Sequence, residues 1–436
     1  MFVRTQSNIR KWIFICGFLC GITSCIDEFE AENITDVLAG ALVIDARISD
    51  EYTQHAVFLS RTFSLEDSEP LPEAGAQVYI SDELGDRINF SETAPGVYNT
   101  NGAITLAQGT EYTLEVITVD GVRYISDKAV LPNKVEITGL RAEKRINGFE
   151  TEGIAILVDN ADTFNFPNYY RYEYEETYKI VAPYANPFDW DEIDYDINDG
   201  DGWEVTVAAR DERVDVCFGN NRSRNIILAS TAVLNANILE DFEVRFVGRD
   251  NPAISHRYSI LVKQYHHDIN ANSFFNLLED FSSIENVFSN VQTGSFEGNI
   301  TVQNSDAAMV FGYFELSSYS EKRLFFNYED YYPNEALPPY FTNCATGAPA
   351  LYPEGFHITP AADGNGFVVD GADGSPLIDG ILAGLYAYHA DNEDYEDYIV
   401  REGRLGGAAP FLVKPLGCVD CREFGSTVIP EFWTEE

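Results

Sequence analysis

From Ala41 onward, apolar side chains return at every second position. Leu42, Ile44, Ala46 and Ile48 alternate with Val43, Asp45 and Arg47. A repeat of two belongs to a strand with one buried face, because successive Cβ atoms point to opposite sides of a pleated sheet. The same period returns at Val57 and Leu59, at Ala76, Val78 and Ile80, and at Tyr112, Leu114, Val116 and Thr118. Asp120-Gly121 lies between two such runs and predicts a type I′ turn, which needs positive φ at both central residues. Short strands separated by turn residues, with no helical stretch, predict a small β-sandwich over about 41–133. Pro132-Asn133 reads as its exit.

The remainder, 134–436, reads as a larger β-rich domain. Ile154–Val158, Tyr169–Lys179, Ile226–Leu228, Val244–Val247 and Val310–Leu316 are strand-like, and Ile254, Tyr258, Ile260 and Val262 share one face of a long strand. One segment breaks the period. Phe274, Leu277, Leu278, Phe281, Ile284 and Phe288 recur at three and four residues, which predicts an amphipathic helix over about 272–290. Asn272 or Ser273 is its expected cap. Between Asn334 and Gly384 the chain is rich in Pro, Gly and Asp and reads as long surface loops.

The first residues are an address. Arg4, Arg10 and Lys11 precede a short apolar run from Trp12 to Leu19, too short for a permanent membrane span. Ile22-Thr23-Ser24-Cys25 then resembles a lipobox, the motif in which a signal peptide (1–24) is removed and the cysteine is lipidated. Residues 25–40 read as an acidic, lipidated tether. Cleavage there leaves 28 − 3 = 25 basic residues against 71 acidic ones, a net charge of −46. Such acidity excludes nucleic acid as a partner, since phosphate contacts need basic patches. It also means that membrane attachment must come from acyl chains.

Cys16 and Cys20 leave with the signal, so Cys217, Cys344, Cys418 and Cys421 remain to form disulfides. Four cysteines allow three connectivities, and in an exported chain two disulfides are expected. Zinc at Cys418-x-x-Cys421 with two other ligands is the alternative. An oxygen-rich loop of Asp194, Asp196, Asn198, Asp199 and Asp201 is a calcium candidate. Its spacing fails the EF-hand test: Asp199 stands where glycine is needed, and Val205 where a bidentate Glu is needed. The favoured reading is a solvated turn and no cofactor. His266-His267 is the tight histidine pair, but neighbours on a strand face opposite ways and do not share one ion. No nucleophile elbow, P-loop, dinucleotide fingerprint or HExxH is present, so the chain reads as a non-enzyme. Among aromatic residues on Pro-rich, acidic loops, Trp190, Tyr331, Tyr332, Tyr340 and Phe341 are the candidates for a ligand or protein interface.

Several separated stretches carry a family likeness. They are Leu59-Ser60-Arg61-Thr62, Gly75-Ala76-Gln77-Val78, Arg257-Tyr258-Ser259-Ile260 with Gln264, Gly298-Asn299-Ile300, Gly312-Tyr313-Phe314, and Cys418-x-x-Cys421 running to Pro430-Glu431-Phe432-Trp433. In this order they resemble an outer-membrane lipoprotein family of Bacteroidota, domain of unknown function 4249. The resemblance spans nearly all of the mature chain. Two positions depart from it: Gly425-Ser426 stands for a glycine pair, and Ile429 for a lysine.

The resemblance implies a mostly β fold, with an immunoglobulin-like or transthyretin-like sandwich before a larger β domain. It implies association with TonB-dependent outer-membrane barrels and, from the acidic run after Cys25, display at the cell surface. It supplies no catalytic residues. The leading expectation is therefore an accessory, cargo-capturing or lid-like lipoprotein of a TonB-dependent transporter, with loops 184–204 and 331–343 as its contact face. A free-standing glycan- or peptide-binding module is the alternative, and a hydrolase stands third.

Overall fold

The computed structural model describes residues 40–62, 70–162, 167–194, 203–234, 236–283, 298–305, 308–353, 357–360, 367–370, 374–395 and 409–435. Cys25, most of the tether, four of the five calcium-loop positions and residues 284–290 of the expected helix lie outside them. The protein is mostly β. No helix among the described residues is long and apolar enough to cross a membrane.

One strand, Val310–Asn327, organises the molecule. Its first half lies parallel to Leu42–Ser49, from Leu42↔Val310 to Ser49↔Ser317. Its second half lies antiparallel to Arg257–His267, from His266↔Ser318 to Arg257↔Asn327. It is therefore a shared wall of two apolar cores within a 15-stranded sheet. In the first core, Leu42, Ile44, Ala46 and Ile48 are fully buried, as their period of two demands, and they meet Tyr98, Leu114 and Val116. In the second, Tyr170, Tyr172, Tyr258, Ile260 and Val262 pack on a three-stranded sheet through Ile154, Ile156 and Val158.

The expected division at 133/134 is not where the packing divides. Ile300, Phe314 and Leu316 complete the N-terminal core, and Ile300–Val302 pairs with Arg123–Ser126. The family-like glycines explain how this late segment fits. A Cβ on Gly298 would stand 1.7 Å from the Gly312 carbonyl oxygen, and one on Gly312 1.9 Å from that of Ile44. Gly312 also holds φ +118°, a backbone setting that glycine alone adopts without strain. Asn299 completes the join with its side chain. Its Nδ2 donates to the Phe314 carbonyl (2.9 Å) and its Oδ1 accepts from the Phe314 amide (2.8 Å), in the manner of a neighbouring strand.

Three local expectations are corrected. Between Glu111–Ile117 and Arg123–Ser126, Gly121 takes positive φ and Asp120 does not. The loop Val119-Asp120-Gly121 is a three-residue turn ending in a left-handed glycine, not type I′. Ile254 sits in a 3-10 turn, Pro252–Ile254, before the strand Arg257–His267 begins. The helix begins at Ile269 and is described to Ser283. Its cap is Asp268, whose carboxylate accepts from the Ala271 amide at 2.8 Å, so the helix follows its strand with no intervening loop.

The last third packs with the strands Phe188–Asp194 and Glu204–Ala209 in a smaller apolar cluster around Val205, Leu377, Ile378 and Val413. Within the stretch expected to be loops, Pro376–Leu382 is a helix. Ser375 accepts from the Ile378 amide, and Pro376 occupies the first turn, where its missing N–H costs nothing. There are two disulfides: Cys217–Cys421 joins the strand Val216–Arg222 of the large sheet to the turn Cys421–Glu423, and Cys344–Cys418 joins a loop to the short helix Leu416–Val419. The CxxC cysteines pair with distant partners, which sets aside the zinc alternative.

Candidate functional site

Strands that give one face to a core leave the other face free. On Tyr169–Val181, Tyr170 and Tyr172 enter the core while Arg171 and Glu173 face away. The register places Arg171 opposite Tyr265, Glu173 opposite Lys263, Tyr265 opposite Tyr319 and Arg47 opposite Glu315. Directly opposed residues share a face. The result is a charged, aromatic surface on the central sheet. The helix Ile269–Ser283 lies over one end of it, with Phe275 stacked on His267 (5.7 Å) and Phe274 on Tyr313 (4.9 Å).

Beneath the helix is a buried ionic cluster. Glu315 is fully buried and accepts from Arg171 Nη2 at 3.0 Å and from His267 Nδ1 at 2.8 Å. Arg171 also pairs with Glu173, and its guanidinium lies 4.3 Å from the Tyr265 ring centroid. Burial alone would push the Glu315 carboxyl up. The Arg171 charge and the His267 hydrogen bond reverse this and hold it at about 2. A carboxylate at Nδ1 fixes a proton on that nitrogen, and His267 Nε2 is buried with no hydrogen-bond partner among the described residues. Each charge here is answered by another, so the cluster sets the position of helix and strands.

Beside it opens a cleft of about 370 Å³. Phe274, Phe275 and Leu278 of the helix form one wall, Phe311 and Tyr313 another, and Arg171 and Glu173 reach its floor. The turn Ser223–Ile226 stands at its side and carries the exposed Arg224. A second hollow of about 220 Å³ shares Asp45, Arg47, Arg171 and Glu173 and runs toward Glu51 and His55. Burial raises the Glu51 carboxyl and lowers the His55 ring. The cavity is small and largely apolar with a few charged groups, which is the form of a small-molecule binding site.

The residues expected to carry an interface lie elsewhere, and their rings are engaged internally. Trp190 donates from Nε1 to the Tyr386 carbonyl (2.9 Å) and meets Tyr388 and Phe411 edge-on. Tyr332 is fully buried and stacked on Tyr328, so it presents nothing to a partner. Tyr331 reaches the Ala142 carbonyl, and Tyr340 the Gly417 carbonyl. Phe341 stacks between Tyr178 and Phe424. Of the calcium candidates, Asp194 ends the strand Phe188–Asp194, while Asp196, Asn198, Asp199 and Asp201 lie outside the described residues. Among the described residues no group of three or more His, Cys, Asp or Glu is placed to hold a metal ion. His266 and His267 do face opposite ways: His266 meets the Asn133 carbonyl, His267 the Glu315 carboxylate.

Arg171 and Glu315 were not among the expected site residues. Glu315 is a single charge inside the run Val310-Phe-Gly-Tyr-Phe-Glu-Leu316, and Arg171 interrupts a row of tyrosines. A lone charge in an apolar strand is the signal that marks such a pair.

A family described only as a domain of unknown function, DUF4249, matches residues 26–323. The chain belongs to that family. No curated protein matches it. The DUF4249 match contains the whole ionic cluster, the helix and the cleft, and ends inside the shared strand. Cys418-x-x-Cys421 and the tail to Trp433, read above as part of the likeness, lie beyond it.

Proposed function

We propose that this protein is a lipid-anchored accessory subunit at the bacterial outer surface, which docks on a TonB-dependent barrel and captures cargo for it. The observation that carries this reading is the sequence at Cys25: a basic start, a short apolar run, Ile-Thr-Ser-Cys, then Asp27, Glu28 and Glu30. Membership of DUF4249 supports it, and two disulfides suit an exported chain. Only 40 − 25 = 15 residues separate the anchor from the start of the fold, a reach of at most roughly 50 Å. Confinement within that distance raises the effective concentration of the body beside a membrane partner. Because Trp190, Tyr331, Tyr332, Tyr340 and Phe341 are buried or half-buried against the body, the cargo face in this reading is the cleft under the helix Ile269–Ser283.

The test is affinity purification of the tagged protein from gently solubilised outer membranes. A TonB-dependent barrel is expected to accompany it in near-stoichiometric amount. Repeated recovery of the protein without any barrel rejects the docking role.

A further inference from the structure

We infer that the cleft under the helix Ile269–Ser283 takes a small apolar molecule bearing one carboxylate. Its size comes first. About 370 Å³ is the room of roughly a dozen water molecules at about 30 Å³ each, which admits a short acyl or bicyclic body and excludes a polymer or a helix. Its walls come second. Phe274, Phe275, Leu278 and Phe311 offer carbon surface, with no residue of theirs to pair with a polar chain.

Its charges fix the sign of the ligand. Arg47 is held by Asp45 (2.9 Å) and Glu173 (3.7 Å). Arg171 is held by Glu315 and Glu173. Arg224 lines the same cleft, is exposed, and has no ion-pair partner among the described residues. An unanswered guanidinium at the edge of an apolar cavity matches the planar, bidentate geometry of a carboxylate. The rest of the molecule opposes anions, since the sequence holds 71 acidic residues against 28 basic ones. One negative charge placed against Arg224 is therefore tolerated where a more highly charged ligand would be repelled.

This inference rests on the reading of the cleft as the cargo face, and its test needs no barrel. The mature chain carrying Cys25→Ala is purified without detergent and titrated calorimetrically with octanoate, 2-naphthoate and octylammonium. Saturable one-to-one binding of a carboxylate is expected, with the tighter of the two acids distinguishing an aliphatic from an aromatic source. Arg224→Gln should weaken that binding by roughly fivefold, the upper end for an exposed ion pair, and leave the thermal melt unchanged. Leu278→Glu, which places a carboxylate in the cavity, should abolish it. Octylammonium binding as tightly as octanoate, no carboxylate binding at millimolar concentration, or an Arg224→Gln protein with unchanged affinity each overturns the inference. Carboxylate binding without a co-purifying barrel retires the transporter role alone, and a barrel without carboxylate binding retires the ligand class alone.

Discussion

Replacing Glu315 with Gln removes a charge that is wholly enclosed and leaves Arg171 and His267 without their shared partner. Two routes give the size of the effect. Breaking a buried ion pair by removing one member costs about 3–5 kcal/mol, because the other charge stays buried. Independently, Glu315 is held at about 2 from an ordinary 4.5. That difference of roughly 2.5 units is about 3 kcal/mol at about 1.4 kcal/mol per unit. The sign follows from the lowered value. The contribution is complete above the unfolded value near 4.5 and is lost as pH falls from there toward 2.

Urea denaturation followed by tryptophan fluorescence reads the change. At pH 7 Glu315→Gln is expected to lose about 3 kcal/mol with the slope against urea unchanged. Between pH 4.5 and 2 its stability should fall less steeply than that of the native chain, and the difference between the two curves isolates this group from the other carboxylates. The double variant Arg171→Met with Glu315→Leu should recover most of the loss, since an apolar pair removes both desolvation costs. A Glu315→Gln protein within about 0.5 kcal/mol of native, with a parallel pH curve, would refute the coupling of Arg171, Glu315 and His267.

Other variants address the joins of the fold. Gly312→Ala forces a Cβ against the Ile44 carbonyl at positive φ, so a loss of roughly 3 kcal/mol or more is expected in the same denaturation assay. Asp268→Ala removes the cap of the helix over the cleft. About 1 kcal/mol of helix stability should go, seen as faster amide exchange across Ala271–Phe275 with the sheet unaffected. The disulfides close 74 and 204 residues, so in the chain-entropy account losing Cys344–Cys418 costs about 4 kcal/mol and losing Cys217–Cys421 about 5 kcal/mol. Serine pairs at those positions, compared by thermal melting, should rank in that order.

Strand positions were legible wherever one face met a core, because burial imposes a period of two. Leu42–Ser49 is the clear instance, and Tyr112 to Thr118 another. The segment 298–317 was not legible as part of the first sandwich. Its pairing with residues more than 170 positions earlier is a tertiary fact, and its local marks were two glycines and one asparagine. The helix announced itself through Phe274, Leu277, Leu278 and Phe281, but its start was misplaced because the cap is the last residue of a His-His-Asp run that reads as strand. Pro376–Leu382 was signalled by Ser375-Pro376 and lost among Gly and Asp turns. The aromatic interface candidates lie buried or half-buried, which the sequence did not reveal. A ring on a Pro-rich loop looks exposed in sequence, but Phe341 stacks on Tyr178 and Phe424, and Trp190 sits on a strand and donates to the Tyr386 carbonyl. The cleft was hidden because five separated segments build it, and only the lone Glu315 hinted at the buried charge beside it.

The proposed anchor at Cys25 would decide where this protein works. Mass spectrometry of the N-terminal peptide of the protein extracted from its native cells tests it directly. A chain beginning at Cys25 and carrying the mass of acyl chains on that residue is the expected result. A chain that retains residues 1–24, or an unmodified cysteine at position 25, contradicts the account.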